Sequence, residues 1–98
     1  MTKYARLVQF SFGAGKHQVA KALASDLVPQ INDQPGCTSV TCFGDSTSGD
    51  YNLFVLWNST NEADAAAEII GPQLNQYLAE NVQKPVDSGL YEVIETLP

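Results

Sequence analysis

The stretch YNLFVLWNSTNE, residues 51–62, decides the fold. Residues Tyr51, Leu53, Val55 and Trp57 alternate with Asn52, Phe54 and Leu56, so an extended segment carries apolar side chains on both faces. Directly after the Trp comes Ser59-Thr60-Asn61-Glu62, the S-x-x-E spacing of a capping box. In that box the Ser hydroxyl and the Glu carboxylate satisfy orphan amides at a helix start. A strand thus hands over to a helix within two residues, with a large aromatic at the joint.

Working outward, Gly44 to Asp50 (GDSTSGD) is a polar run of turn formers, and Cys37 to Phe43 before it is strand-like. The pair predicts a hairpin. From about Lys16 to Asp33, Val19, Leu23, Leu27 and Ile31 recur at helical spacing with Ala20 and Ala24 alongside. Pro29 removes one hydrogen bond near the end of that helix, and Pro35-Gly36 stops it. Tyr4 to Phe12 reads as a strand, with Arg6, Val8, Phe10 and Phe12 on one face and Ala5, Leu7, Gln9 and Ser11 on the other. Beyond Ser59, the residues Ala63, Ala66, Ala67, Ile70, Leu74, Tyr77, Leu78 and Val82 form one stripe. Its phase continues across Gly71-Pro72, which predicts a kink rather than a break. Gln83 to Ser88 reads as a connection, and Gly89 to Leu97 as a last strand.

The order β-α-β-β-α-β is the split βαβ, or ferredoxin-like, plan: an α+β domain over residues 1–98 with an antiparallel four-stranded sheet. Two helices cover only one face of such a sheet. The other face would expose Leu7, Phe54 and Leu56, with either Leu90 and Ile94 or Tyr91 and Val93 beside them. Soluble monomers rarely leave an apolar patch of that extent open. A second copy of the same sheet is the economical cover, so a homodimer through Leu7, Phe54 and Leu56 is expected.

Eleven acidic residues against five basic ones give a net charge of -6. Such a surface repels phosphate backbones, which argues against nucleic acid as a partner. No basic amphipathic segment and no apolar run near 18 residues points to a membrane. The chain starts straight into a strand pattern without a signal-peptide core, so the expected location is the cytoplasm. Cys37 and Cys42 fall in one strand. Five residues of strand span roughly 16 Å and put the two on opposite faces, beyond the roughly 7 Å Cα separation a disulfide allows. They read as small apolar fillers, not as a redox pair or metal ligands.

Few residues offer chemistry. Trp57 could stack on a planar ligand and donate one hydrogen bond, or simply pack the helix–sheet seam. Arg6, the only Arg, could meet an oxyanion or a surface carboxylate. Tyr77 and Tyr91 could bring a phenol to a substrate or sit at the boundary of the core. His17, the only His, stands at a helix start, where an exposed role fits best. Gly13-Ala14-Gly15-Lys16 lacks the spacing of a phosphate loop, and Asp45 to Asp50 misses the calcium-loop pattern. No nucleophile–base constellation can be assembled, and the catalytic residues stay unknown.

Three segments resemble the antibiotic biosynthesis monooxygenase-like family. Phe10 to Lys16 (FSFGAGK) is similar to its F-x-V-x-x-G-K opening, and Gln34-Pro35-Gly36 to its x-P-G-F junction. Trp57-Asn58-Ser59 followed by Glu62-Ala63 is similar to its W-x-S-x-E-A segment. The resemblance implies a dimeric α+β barrel, in which two ferredoxin-like sheets face each other. It also implies a ligand cleft between sheet and helices, with Trp57 in its wall. Carried over, the cleft positions are Arg6, Val8, Phe10, Phe12, Leu53 and Trp57, faced by Ile70, Leu74 and Tyr77. The family's haem-degrading branch uses an Asn on the first strand and a His on the second helix. Phe10 and Ala65-Ala66-Ala67 stand there instead, so no cofactor is expected. Its phenol-oxidising branch places a polar residue where Leu53 stands. Two readings of function follow. One is a cofactor-independent oxygenase or isomerase acting on a planar, mostly apolar small molecule. The other is a binding or structural homodimer without chemistry of its own.

Overall fold

In the computed structural model, which describes residues 2–97, six elements follow one another. They are β1 (Tyr4–Ser11), α1 (His17–Asn32), β2 (Cys37–Asp45), β3 (Asp50–Trp57), α2 (Thr60–Ala79) and β4 (Asp87–Glu92). The strands form one antiparallel sheet in the order β2-β3-β1-β4. Each βαβ unit is therefore split by an inserted strand, as the order of elements predicts.

Both helices pack on the face formed by the even-numbered residues of β1. Val8 and Phe10 of β1 and Tyr51, Leu53, Val55 and Trp57 of β3 are buried there. They meet Ala20, Leu23, Leu27 and Ile31 of α1 and Ala63, Ala66, Ile70 and Leu78 of α2. Both prolines are accommodated: α1 runs through Pro29 and α2 through Pro72 without a break. At the start of α2, Ser59 is extended and its Oγ accepts from the Glu62 amide at 3.1 Å. The return half of the box differs from expectation. Glu62 Oε1 accepts the Ser59 hydroxyl proton at 3.0 Å, so the two side chains lock each other.

Three sequence expectations are corrected. The last strand starts earlier and ends at Glu92, because its partner β1 begins at Tyr4, opposite Glu92. Beyond it the Val93 amide reaches back to the Lys3 carbonyl at 2.9 Å. Ile94 and Leu97, read as strand residues, are 86% and 85% exposed. The β2–β3 hairpin is tighter than a seven-residue loop, since the strands run on to Asp45 and from Asp50. Asp45 closes it by accepting the Thr47 amide on Oδ1 and the Gly49 amide on its carbonyl, both at 2.8 Å. Finally, Cys37 and Cys42 share a face. A register shift between Cys37 and Ser39 gives β2 one extra residue, so Cys37 lies opposite Trp57 and Cys42 opposite Leu53. Both thiols are free and pack against the core, and burial pushes the pKa of each up.

Among the described residues nothing covers the second sheet face. Leu7 pairs with Phe54 and Ala5 with Leu56 there, and Tyr91 and Phe43 lie in the flanking strands. Leu7, Phe54 and Leu56 are half-buried, while Phe43 and Tyr91 are 52% and 56% exposed. Among the described residues no helix is long and apolar enough to cross a membrane.

Candidate functional site

A cleft of about 160 Å³ lies between the sheet and α2. Its floor is Val8, Leu53, Val55 and Trp57, and its roof is Ala63, Ala66, Ala67, Ile70, Gly71 and Leu74. Ile31, from the last turn of α1, joins them, and Arg6 and Ser88 bring the other polar side chains. The alternation of β1 and β3 makes this floor apolar, and the small alanines of α2 leave the space above it. Leucines at Ala63, Ala66 and Ala67 would have filled the volume.

Register explains where the polar groups stand. On this face Trp57 is opposite Tyr4, Arg6 is opposite Val55 and Leu90, and Ser88 is opposite Val8. Trp57, Arg6 and Ser88 thus run diagonally across β3, β1 and β4. Diagonal neighbours in a sheet are separated by roughly 7–8 Å, within reach of long side chains. Trp57 is 3% exposed, and its Nε1–H has no hydrogen-bond partner among the described residues. A buried donor left without an acceptor costs about 1–3 kcal/mol. Arg6 donates from Nη2 to Asp64 Oδ1 at 3.1 Å, across from β1 to the first turns of α2. The pairing is lopsided, for the Arg6 side chain is 23% exposed and that of Asp64 68%.

Of the residues expected at a ligand site, Arg6, Leu53, Trp57 and Leu74 line this cleft, as do Val8 and Ile70. Phe10 and Phe12 do not. They are buried toward the other end of β1 in a cluster with Tyr51, with ring centroids 5.1 to 6.0 Å apart. Tyr77 also turns away. Its hydroxyl donates to Asp26 Oδ2 at 2.8 Å and ties α2 to α1. That hydrogen bond, then burial and the carboxylate's charge, raise the Tyr77 pKa, which makes it a poorer proton donor. Exposed His17 shares a 3.3 Å hydrogen bond with the Tyr51 hydroxyl, Nδ1 to oxygen, and the rings stack. This contact is remote from the cleft lining.

Sequence reasoning places none of Ile31, Val55, Ala63, Ala66, Ala67, Gly71 and Ser88 at the cleft, and of these Ser88 and Gly71 bear most on its chemistry and space. Ser88 reads as part of a connection, and its pairing with Val8 reveals its face. The sequence pattern puts Gly71 at a kink. A Cβ there would meet nothing within 4 Å beyond its chain neighbours and its own helix backbone. Glycine inside a helix costs about 1 kcal/mol relative to Ala. No packing contact among the described residues asks for it, and Gly71 lines the cleft.

No protein-family model matches the chain, and no curated protein matches it by sequence. Solved structures do match. Rv0793 from Mycobacterium tuberculosis superposes with a TM-score of 0.79 at 17% identity, over 98% of this chain and 99% of that one. The monooxygenase ActVA-Orf6 of Streptomyces coelicolor, in complex with nanaomycin D, gives 0.77 at 14% identity, over 99% and 92%. SnoaB, a cofactor-independent oxygenase from Streptomyces nogalater solved as a mutant, gives 0.75 at 15% identity, over 98% and 97%. Another matching structure is named antibiotic biosynthesis monooxygenase. Likeness at such low identity is one of architecture. By fold, the chain stands with the antibiotic biosynthesis monooxygenase-like structures.

Proposed function

We propose that the chain binds a small planar molecule in the helix–sheet cleft and acts on it as a cofactor-independent, monooxygenase-like enzyme. In this reading the working form is a homodimer through the open sheet face. The observation that carries the cleft is Trp57, which lines an otherwise apolar space and whose buried Nε1–H has no partner among the described residues. An acceptor oxygen on a ligand would satisfy it, and the indole face would stack on the ligand's ring. The chain's contribution to catalysis would be positioning and desolvation of a substrate that is itself readily oxidised. Arg6 would stabilise negative charge developing on it.

One observation favours the second reading, a non-catalytic binding homodimer. Among the described residues no Asp, Glu, His or Tyr lines the cleft, so no side chain there is suited to general-base work near neutral pH. A substrate that ionises unaided reconciles this lining with catalysis. Oxygen consumption with easily oxidised phenols would distinguish the two readings.

The binding step is tested through Trp57, the only Trp in the chain. Planar phenols and quinones should quench its emission saturably. Trp57→Phe should weaken binding about tenfold by calorimetry, the worth of one hydrogen bond and part of a stack. It should change stability little, because the loss of packing is offset by removal of an unsatisfied donor. A flat titration together with a destabilised Trp57→Phe would make Trp57 a core residue only.

Gly71→Ala makes a complementary prediction. If the glycine serves the cleft, the added methyl should lower ligand affinity and leave Tm unchanged or a few degrees higher. The position before a proline is crowded in a helix, but Val28 precedes Pro29 inside α1 in this same fold. A clear fall in Tm would assign Gly71 to the backbone at Pro72 instead.

A further inference from the structure

The polar inventory of the cleft is one-sided. Trp57 Nε1 and the Arg6 guanidinium can only donate, and Ser88 can donate as well. Among the described residues no carboxylate lines the cleft with them. Arg6 has five N–H donors, and its hydrogen bonding among the described side chains is the single contact to Asp64. That carboxylate is 68% exposed, so water screens the pair heavily and it contributes little. A mostly buried cation with donors to spare, one sheet diagonal from a buried N–H without an acceptor, is suited to an anionic oxygen group. The planar fork of Arg favours a carboxylate, which can accept two parallel bonds.

Size narrows the class further. The cleft holds about 160 Å³. An enclosed apolar cavity of about 150 Å³ accommodates one benzene, so this half-open cleft has room for about one ring between sheet and helix. Sites for larger, drug-sized ligands run from about 300 Å³ upward. Resting on the cleft reading above, we infer that the ligand is a single ring bearing a carboxylate. The ring lies among the apolar side chains against Trp57, and the carboxylate faces Arg6 and the indole N–H. Asp64 is then a surface competitor for Arg6, displaced or loosened when the ligand enters.

The test uses benzoate, benzyl alcohol and anthraquinone-2-carboxylate, titrated by calorimetry with Trp57 emission followed in parallel. Benzoate should bind about tenfold or more tightly than benzyl alcohol, the advantage of a charge-assisted pair over a neutral hydroxyl. Anthraquinone-2-carboxylate should bind more weakly than benzoate. Asp64→Asn, at an exposed side chain where folding is not at risk, should tighten benzoate several-fold and leave benzyl alcohol unchanged. Arg6→Gln should erase the preference for benzoate. Equal affinity for benzoate and benzyl alcohol, no gain in Asp64→Asn, or tighter binding of the three-ring acid would each overturn the assignment. In those cases Trp57 still responds and the cleft itself stands. If none of the three compounds perturbs Trp57, the cleft reading fails with it.

Discussion

Gly49→Ala is expected to leave the chain largely unfolded or severely destabilised. Gly49 ends the β2–β3 turn with φ +79°, a left-handed conformation that costs an L-residue about 1–2 kcal/mol. A Cβ there would also overlap the carbonyl carbon and oxygen of Gly13, which belong to backbone and cannot swing aside. The two segments are held together by the Phe12 amide donating to the Gly49 carbonyl at 2.8 Å. Forcing them apart would strain the core around buried Phe12, adding about 1–3 kcal/mol as overpacking typically does. Domains of this size have about 5–15 kcal/mol in all. Gly15→Ala isolates the steric part. Gly15 has φ +89°, yet nothing lies within 4 Å of its would-be Cβ, so only the conformational cost applies. Chemical denaturation of the pair should show Gly49→Ala losing clearly more stability than Gly15→Ala. Equal losses would mean that the hairpin and the end of β1 are not packed as described.

Phe54→Asp should convert a dimer into a monomer. Phe54 sits in the middle of β3 on the uncovered face, beside Leu7 of β1 and Thr41 of β2. In an isologous interface each substitution occurs twice about the symmetry axis. Two buried charges without partners would cost several kcal/mol, on top of the lost aromatic packing. Light scattering at micromolar concentration should return about twice the 10.6 kDa chain mass for the parent protein and the single mass for the variant. The variant should keep its helix content, because Phe54 points away from α1 and α2. A parent protein that is monomeric would remove the basis of the proposed assembly.

How much was legible beforehand can be judged from particular residues. The strand-to-helix joint at Trp57 and Ser59 needed nothing beyond local spacing, because period-2 alternation and a cap are short-range signals. The helix-facing rows were equally readable, from Val8 and Phe10 on β1 to Leu53, Val55 and Trp57 on β3. Arg6, Leu53, Trp57 and Leu74 fall on one cleft through family resemblance and strand alternation together. Phe10 and Phe12 share that alternation but lie further along β1, and periodicity does not say how far along a strand a cleft extends. Tyr77 fits the apolar stripe of α2, yet its hydroxyl finds Asp26, 51 residues away. No local pattern shows that contact.

By itself, then, the sequence determined the number, kind and order of elements, the faces they bury and the presence of an aromatic at the strand–helix joint. Those properties depend on side-chain periodicity and turn chemistry within a few residues. The tertiary structure alone decided the shared face of Cys37 and Cys42, the end of β4 at Glu92, and the diagonal that joins Trp57 to Arg6 and Ser88. Each depends on register between strands far apart in the chain, and a shift of one residue moves a side chain to the opposite face. The cleft likewise exists because three alanines and a glycine of α2 lie over an apolar floor. Their small size is plain in the sequence, but the space they leave appears only once the helix is laid on the sheet.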